Sequence, residues 1–149
     1  MTGHKDMSAS IKWTIISDLD AVHTVSQEIR KISVESIGPD GANDVEVAVV
    51  EALTNVVKHG YPDAPGEIEI AACGGTGVVI VDIIDTGKSI PEEILARAGP
   101  ERFKFDPDDV NGLVEGGMGL SIIFMTMDTV DYGSQAGRNR LHLVRHKRP

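Results

Sequence analysis

The chain has 149 residues, a formal net charge of −9 and a single cysteine, Cys73. The length suits one domain with its own core, and the acidic balance disfavours nucleic acid as main partner, because phosphate binding wants clustered Lys and Arg. One cysteine excludes an internal disulfide and fits a reducing compartment; with no signal peptide and no apolar run long enough to span a bilayer, the expectation is a cytoplasmic protein that does not engage a membrane.

Residues Met1 to Ala9 read as a flexible start to a single domain over 10–149. Ile11 to Ile16 alternates as a strand. Asp18 or Asp20 can cap a helix that runs to about Ile37, with Leu19, Val22, Val25, Ile29 and Ile32 on its apolar face. Gly38-Pro39 and Asp40-Gly41 stop it. Asn43 or Asp44 then caps a second helix, which ends at Gly60 with Pro62 just beyond.

This second helix is unusual. Val49, Ala52, Leu53, Val56 and Val57 recur at spacings of three and four, as on a core-facing side. Glu51 and Asn55 are four apart and stack one turn above the other, with Lys58 and His59 a further turn along. Burying an unpartnered polar group costs about 2 to 7 kcal/mol, so these side chains are either satisfied structurally or face a ligand.

Glu67 to Ala72 and Val78 to Asp85 form a hairpin about Gly74-Gly75-Thr76-Gly77. The second of these strands is almost continuous Val and Ile, as in a strand buried on both faces. Val79, Val81, Ile83 and Asp85 share one face, and Val78, Ile80, Asp82 and Ile84 the other. Cys73 reads as a small core residue, since no reactive context surrounds it. Lys88 to Glu115 breaks every pattern apart from a short helix over Pro91 to Arg97, and carries the acidic cluster Asp106-Pro107-Asp108-Asp109. A loop of this length in a compact domain reads as a lid that is mobile without ligand. Gly119 to Met127 is an apolar helix. Thr129 to Gly133 and Arg140 to Arg145 are strands about the turn Ala136-Gly137-Arg138-Asn139, and the basic tail from Arg145 reads as a solvated end. The expected fold is an α/β (α+β) two-layer sandwich: a mixed, mostly antiparallel sheet of about five strands with helices on one face.

Three short motifs occur in order: Glu51-x-x-x-Asn55, Asp85-Thr86-Gly87 at the end of the buried strand, and Gly116-Gly117-Met118-Gly119-Leu120 opening a helix. Each alone is common on polar helices, turns and helix caps. Together, in this order and on these elements, they resemble the N, G1 and G2 boxes of the ATP-binding domain shared by gyrases, heat-shock chaperone 90, MutL-type proteins and histidine kinases. The chain more closely resembles the anti-sigma-factor serine kinases of the RsbW and SpoIIAB type. This rests on Trp13, Glu51-Ala52-Leu53-Thr54-Asn55 through His59-Gly60-Tyr61, the G2 glycines, Met127-Asp128 and the closing hairpin.

The resemblance implies ATP and Mg²⁺ as cofactors. Asn55 would ligate Mg²⁺, which takes few protein ligands; Asp85 would accept from the adenine amino group; Gly87 would line the base. Gly116, Gly117, Met118, Gly119 and Leu120 form the phosphate box, where glycines before a helix leave N–H groups free. Glu51 would act as catalytic base towards a substrate serine. Lys58 or His59 either reaches the phosphates or ends the helix in solvent. The implied function is an ATP-dependent protein serine/threonine kinase and anti-sigma factor, which phosphorylates a STAS-type anti-sigma-antagonist and sequesters a sigma factor. The alternative is a partner-switch module with the same pocket and little or no turnover; a detached sensor-kinase domain is a further class. Two departures stand out: Ser89 replaces the second glycine of a D-x-G-x-G, and Glu115 precedes the G2 glycines where some relatives carry a basic residue. The family likeness also implies a homodimer, consistent with an apolar strand face at Val78, Ile80 and Ile84 that helices on the Asp85 side would leave bare.

Overall fold

The computed structural model describes residues 7–8, 10–98 and 118–149. Most of the expected lid, the acidic cluster at Asp106–Asp109, Glu115, and the first two G2 glycines, Gly116 and Gly117, lie outside the described residues. The elements are β1 (Ile11–Ile16), α1 (Leu19–Asn55), a π-helical turn (Val56–Gly60), β2 (Glu67–Gly75), β3 (Val78–Asp85), α2 (Glu92–Ala98), α3 (Met118–Thr126), β4 (Thr129–Gln135) and β5 (Arg138–His146).

The five strands form one sheet in the order β1-β2-β3-β5-β4. Every neighbouring pair is antiparallel, where the sequence suggested a mixed, mostly antiparallel sheet. The reason is topological. The helical crossover from β3 to β4 joins strands of the same direction, as a crossover should, but β5 folds back between them. The parallel relation therefore exists without parallel hydrogen bonding.

Among the described residues, helices cover one face of the sheet. In β3, Val79, Val81, Ile83 and Asp85 are buried, and Val78, Ile80, Asp82 and Ile84 are half-buried. Ile68, Ile70 and Leu143 flank that inward row and meet Ile29, Val45, Val49 and Leu53 of α1 in the core. Trp13 is half-buried against the same cluster. On the helix-free face, Asp82 accepts from Arg140 (2.7 Å) and His142 (2.8 Å). Cys73 lies on this face, half-buried, and not in the core; strand alternation gives the inward position to Ala72. Burial pushes the Cys73 thiol up, and the Asp82 charge adds to this, so it is a poor nucleophile at neutral pH.

The two expected helices are present as the arms of α1, separated by Gly38 at φ 85° and ψ 173°. Asp18, not Asp20, is the N-cap, accepting from Asp20 N at 2.8 Å. The second arm restarts at Pro39, earlier than a cap at Asn43 or Asp44 would allow. Proline loses nothing at a first helical position, where its missing N–H would have had no partner. The arms fold back on one another: Glu46 accepts from Gln27 (2.6 Å) and Arg30 (3.0 Å), and Arg30 also reaches Asn43. Asp44 instead pairs with buried Arg145 of β5 (2.8 Å), so part of the basic tail is an internal strut.

The closing hairpin is tighter than expected. Gln135 pairs with Arg138, and only Ala136 (φ 54°) and Gly137 (φ 78°) form the turn. Positive φ at both central residues is the twist-compatible hairpin geometry. Alanine there carries a steric cost of about 1 kcal/mol or more. Replacing Ala136 by Gly is expected to raise unfolding free energy by about 0.5 to 1 kcal/mol once the freer unfolded chain is allowed for. Urea denaturation checks this; a lower midpoint would contradict the strain.

Candidate functional site

The site forms where three elements end together. Strand β3 delivers Asp85 at its last inward position, 7% exposed. Its Oδ1 accepts from Gly87 N and from Asn139 Nδ2, both at 2.9 Å. Asn139 stands opposite Asp85 in the β3–β5 register, is 2% exposed, and also donates to the Gly87 carbonyl at 2.9 Å. Reading the sequence places Asn139 in a turn and misses it. Among the described residues every hydrogen bond to Asp85 falls on Oδ1, so Oδ2 is the acceptor left for a ligand.

The π turn sets the second edge. Tyr61 N donates to Val56 O, five residues back, at 3.0 Å. This wider turn ends the helix with Gly60 buried against Asp85. The Gly60 carbonyl accepts from Lys88 N at 2.8 Å. A Cβ on Gly87 would lie 2.4 Å from that carbonyl oxygen, so only glycine permits this approach of helix end and strand end. Tyr61 completes the joint: its hydroxyl donates to Glu67 O (2.8 Å) and accepts from Thr86 N (2.9 Å).

The third edge is α3. Glu51 and Asn55 are half-buried on α1, one turn apart. A Cβ on Gly119 would lie 2.8 Å from Glu51 Oε2 and 3.6 Å from the Asn55 amide atoms. The first turn of α3 is thus seated against both side chains, which brings the first and third motifs together. Met118 begins α3, and Leu120 is buried in the core. Lys58 and His59 are both exposed on the π turn. His59 joins the cavity lining with Asn55, whereas Lys58 does not; the five-residue spacing turns it off the Glu51–Asn55 line.

Between these edges lies a cavity of about 290 Å³. Ile83, Ile90, Leu120, Ile123 and Leu141 make its walls apolar, Asp85 supplies the buried acid, and Asn55, His59, Lys88 and Ser89 supply polar lining. Tyr132, also in the lining, accepts from Ile90 N at 2.9 Å. Burial pushes its phenol up, and the Asp85 charge adds to this, so it stays protonated. An apolar cavity with one buried acceptor suits a planar base bearing an amino group. Among the described residues no cluster of three His, Cys, Asp or Glu could hold a metal by itself. The donor set of one neutral amide, with one carboxylate a turn away, fits a hard ion held chiefly by phosphate and water.

Gly87→Ala is expected to cost about 1 to 3 kcal/mol, the scale of an overpacked contact, because Gly60 backbone must move. Gly133→Ala, with nothing within 4 Å of its Cβ, is the neutral control. Equal urea midpoints for the two variants would refute the close approach.

The chain also resembles known proteins. Residues 15–145 match the family model described as the histidine kinase-like ATPase domain. The chain is 38% identical over 105 residues to the serine-protein kinase RsbW of Oceanobacillus iheyensis, covering 66% of this chain and 61% of that protein. It is 29% identical over 105 residues to the anti-sigma F factor of Clostridium acetobutylicum, covering 70% and 69% respectively. The match thus spans about six tenths of the length of the first of these relatives. The crystal structure of RsbU and RsbW domains from a Mycobacterium tuberculosis protein superposes with a TM-score of 0.64 at 22% identity, over 95% of this chain and 34% of that one; this likeness concerns the fold. Asn55, Asp85 and Leu120, one residue from each motif, line one cavity, and the family model covers all but the ends of the chain: the chain belongs to the histidine kinase-like ATPase domain family.

Proposed function

We propose that this chain is an ATP-dependent protein serine/threonine kinase and anti-sigma factor. It would phosphorylate a STAS-type anti-sigma-antagonist and sequester a sigma factor or similar regulator. ATP use follows from the family. The serine-kinase and anti-sigma names of its relatives support the rest. The observation that carries the reading is the buried Asp85 acceptor in an apolar cavity, with Asn55 in the same lining and Glu51 one turn away.

Each residue then has a role. Asp85 Oδ2 accepts from the amino group of adenine, and Gly87 lets the base lie close to backbone. Asn55 would hold Mg²⁺, which neutralises charge on the triphosphate. The G2 segment, including Gly116, Gly117, Met118, Gly119 and Leu120, would meet the phosphates, with His59 near them and Lys58 at most peripheral. Glu51 takes the seryl proton as the serine oxygen bonds to the γ-phosphorus and the bond to the β,γ-bridging oxygen breaks, releasing ADP. The formal net charge of −9 argues against nucleic acid. No described helix is long and apolar enough to cross a membrane.

The same reading includes a homodimer through the helix-free sheet face, where Val78, Ile80, Ile84 and Val144 stay half-buried around the Asp82–Arg140–His142 cluster. Ile80→Glu is expected to shift the protein from dimer to monomer in sedimentation velocity. A wild type that sediments as a monomer at all concentrations would sink the dimer.

Glu51→Gln is expected to lower phosphate transfer to an antagonist serine by about 10²- to 10⁴-fold while ATP still binds. Asn55→Ala should lose the Mg²⁺-dependent part of ATP affinity. Radiolabelled γ-phosphate transfer and calorimetry read the two. ATP binding by the wild type without transfer to any candidate antagonist would replace the kinase with a partner-switch module.

A further inference from the structure

Asn139 has no role in the reading above, yet it is among the most buried polar side chains and it touches Asp85, the base acceptor of that reading. An asparagine amide has two N–H donors. One goes to Asp85 Oδ1 and the other to the Gly87 carbonyl, each at 2.9 Å. Both donors are therefore taken, and neither is available to the cavity. Asp85 Oδ1 is taken twice, by Asn139 and by Gly87 N, which fixes the carboxylate plane and leaves Oδ2 without a partner among the described residues.

The result is that the floor can only accept at Asp85. A purine with a 6-amino group meets a lone pair there. At Asp85 a purine with a 6-oxo group sets lone pair against lone pair, a mismatch that buried sites penalise heavily. We propose that Asn139 is a specificity-determining positioning residue, which by holding Asp85 Oδ1 and the Gly87 carbonyl together makes the site select 6-aminopurine over 6-oxopurine nucleotides. The inference rests on the reading of Asp85 as the base acceptor. A hydroxyl at this position would have a single donor for two acceptors, and a carboxylate would have none when ionised.

The test is calorimetric titration of ATP and of GTP into the intact chain and its variants, with circular dichroism melting to confirm folding. Wild type is expected to prefer ATP. Asn139→Ala should weaken ATP about 10- to 100-fold, the loss expected for a hydrogen bond to a charged group, and GTP less, so the preference narrows. General destabilisation would weaken both nucleotides alike. If the alanine variant does not fold, Asn139→Thr, with one donor, should show a smaller narrowing. Asn139→Asp sets a second carboxylate beside Asp85. Such a pair is tolerated when it shares a proton and repels when it does not. Its ATP affinity relative to wild type should therefore fall as pH rises; His59, Lys88 and Tyr132 line the same cavity and cancel in that ratio. A wild-type preference in Asn139→Ala or Asn139→Thr, or a pH-independent ratio for Asn139→Asp, would overturn the role. Asp85→Asn separates the two levels. If it binds ATP as wild type does, the base reading itself fails and takes the role of Asn139 with it. If it loses ATP while Asn139→Ala keeps its preference, only the inference about Asn139 fails.

Discussion

A single backbone contact organises the site: the Gly60 carbonyl against Lys88 N across the bare Cα of Gly87. It fastens the end of the long helix to the end of the central strand. With that distance fixed, Asn55 and His59 on one side and Asp85 on the other must face one cavity. Tyr61 reinforces the joint from outside, bridging the Glu67 carbonyl and Thr86 N. A buried acid at the end of β3 is tolerable because Gly87 N and the Asn139 amide both donate to it, and Asn139 is itself held by the Gly87 carbonyl.

The helix that brings Glu51 and Asn55 to this joint is held at several points along its length. Gly38 and Pro39 reverse it, and Glu46 binds the two arms through Gln27 and Arg30. Arg145 ties the second arm to the far strand through Asp44, and lies 3.9 Å from Asp128 at the α3–β4 connection. A charged group this buried contributes little net stability by itself, and removing Asp44 would leave the guanidinium buried without that partner, whereas Asp44 is itself 37% exposed and stays solvated if Arg145 is removed. Its value lies in geometry: it links helix, connection and sheet at the end opposite the cavity.

Much of this was legible because it is written in short periods. The alternation Val79, Val81, Ile83, Asp85 assigned the buried face and the acid on it. The three- and four-residue spacing around Glu51 and Asn55 assigned their helix, and Gly38-Pro39 marked its break. What escaped depends on contacts between distant segments. Asn139 looks like a turn residue until the two-residue turn at Ala136-Gly137 places it in β5 opposite Asp85. The π turn has no composition of its own; it exists because Gly60 must reach Gly87. The all-antiparallel sheet follows from where β5 inserts, which no local pattern encodes. Cys73 looked like core because it is small, and strand parity put it outside.

The sheet is joined from two halves along the β3–β5 pairing. Before that boundary lie β1, α1, β2 and β3; after it come α3, β4 and β5. Within each half, hairpins and the folded-back helix close short loops, as in the Gln27–Glu46 contact across 19 residues. The boundary closes a longer one, since Asp85 and Asn139 are 54 residues apart, and long closures are the slow events in folding. The acceptor floor straddles that boundary. It has no half-built form that a nascent or truncated chain could display, so under the proposed reading of Asp85 a base could be recognised only once β5 has joined the sheet.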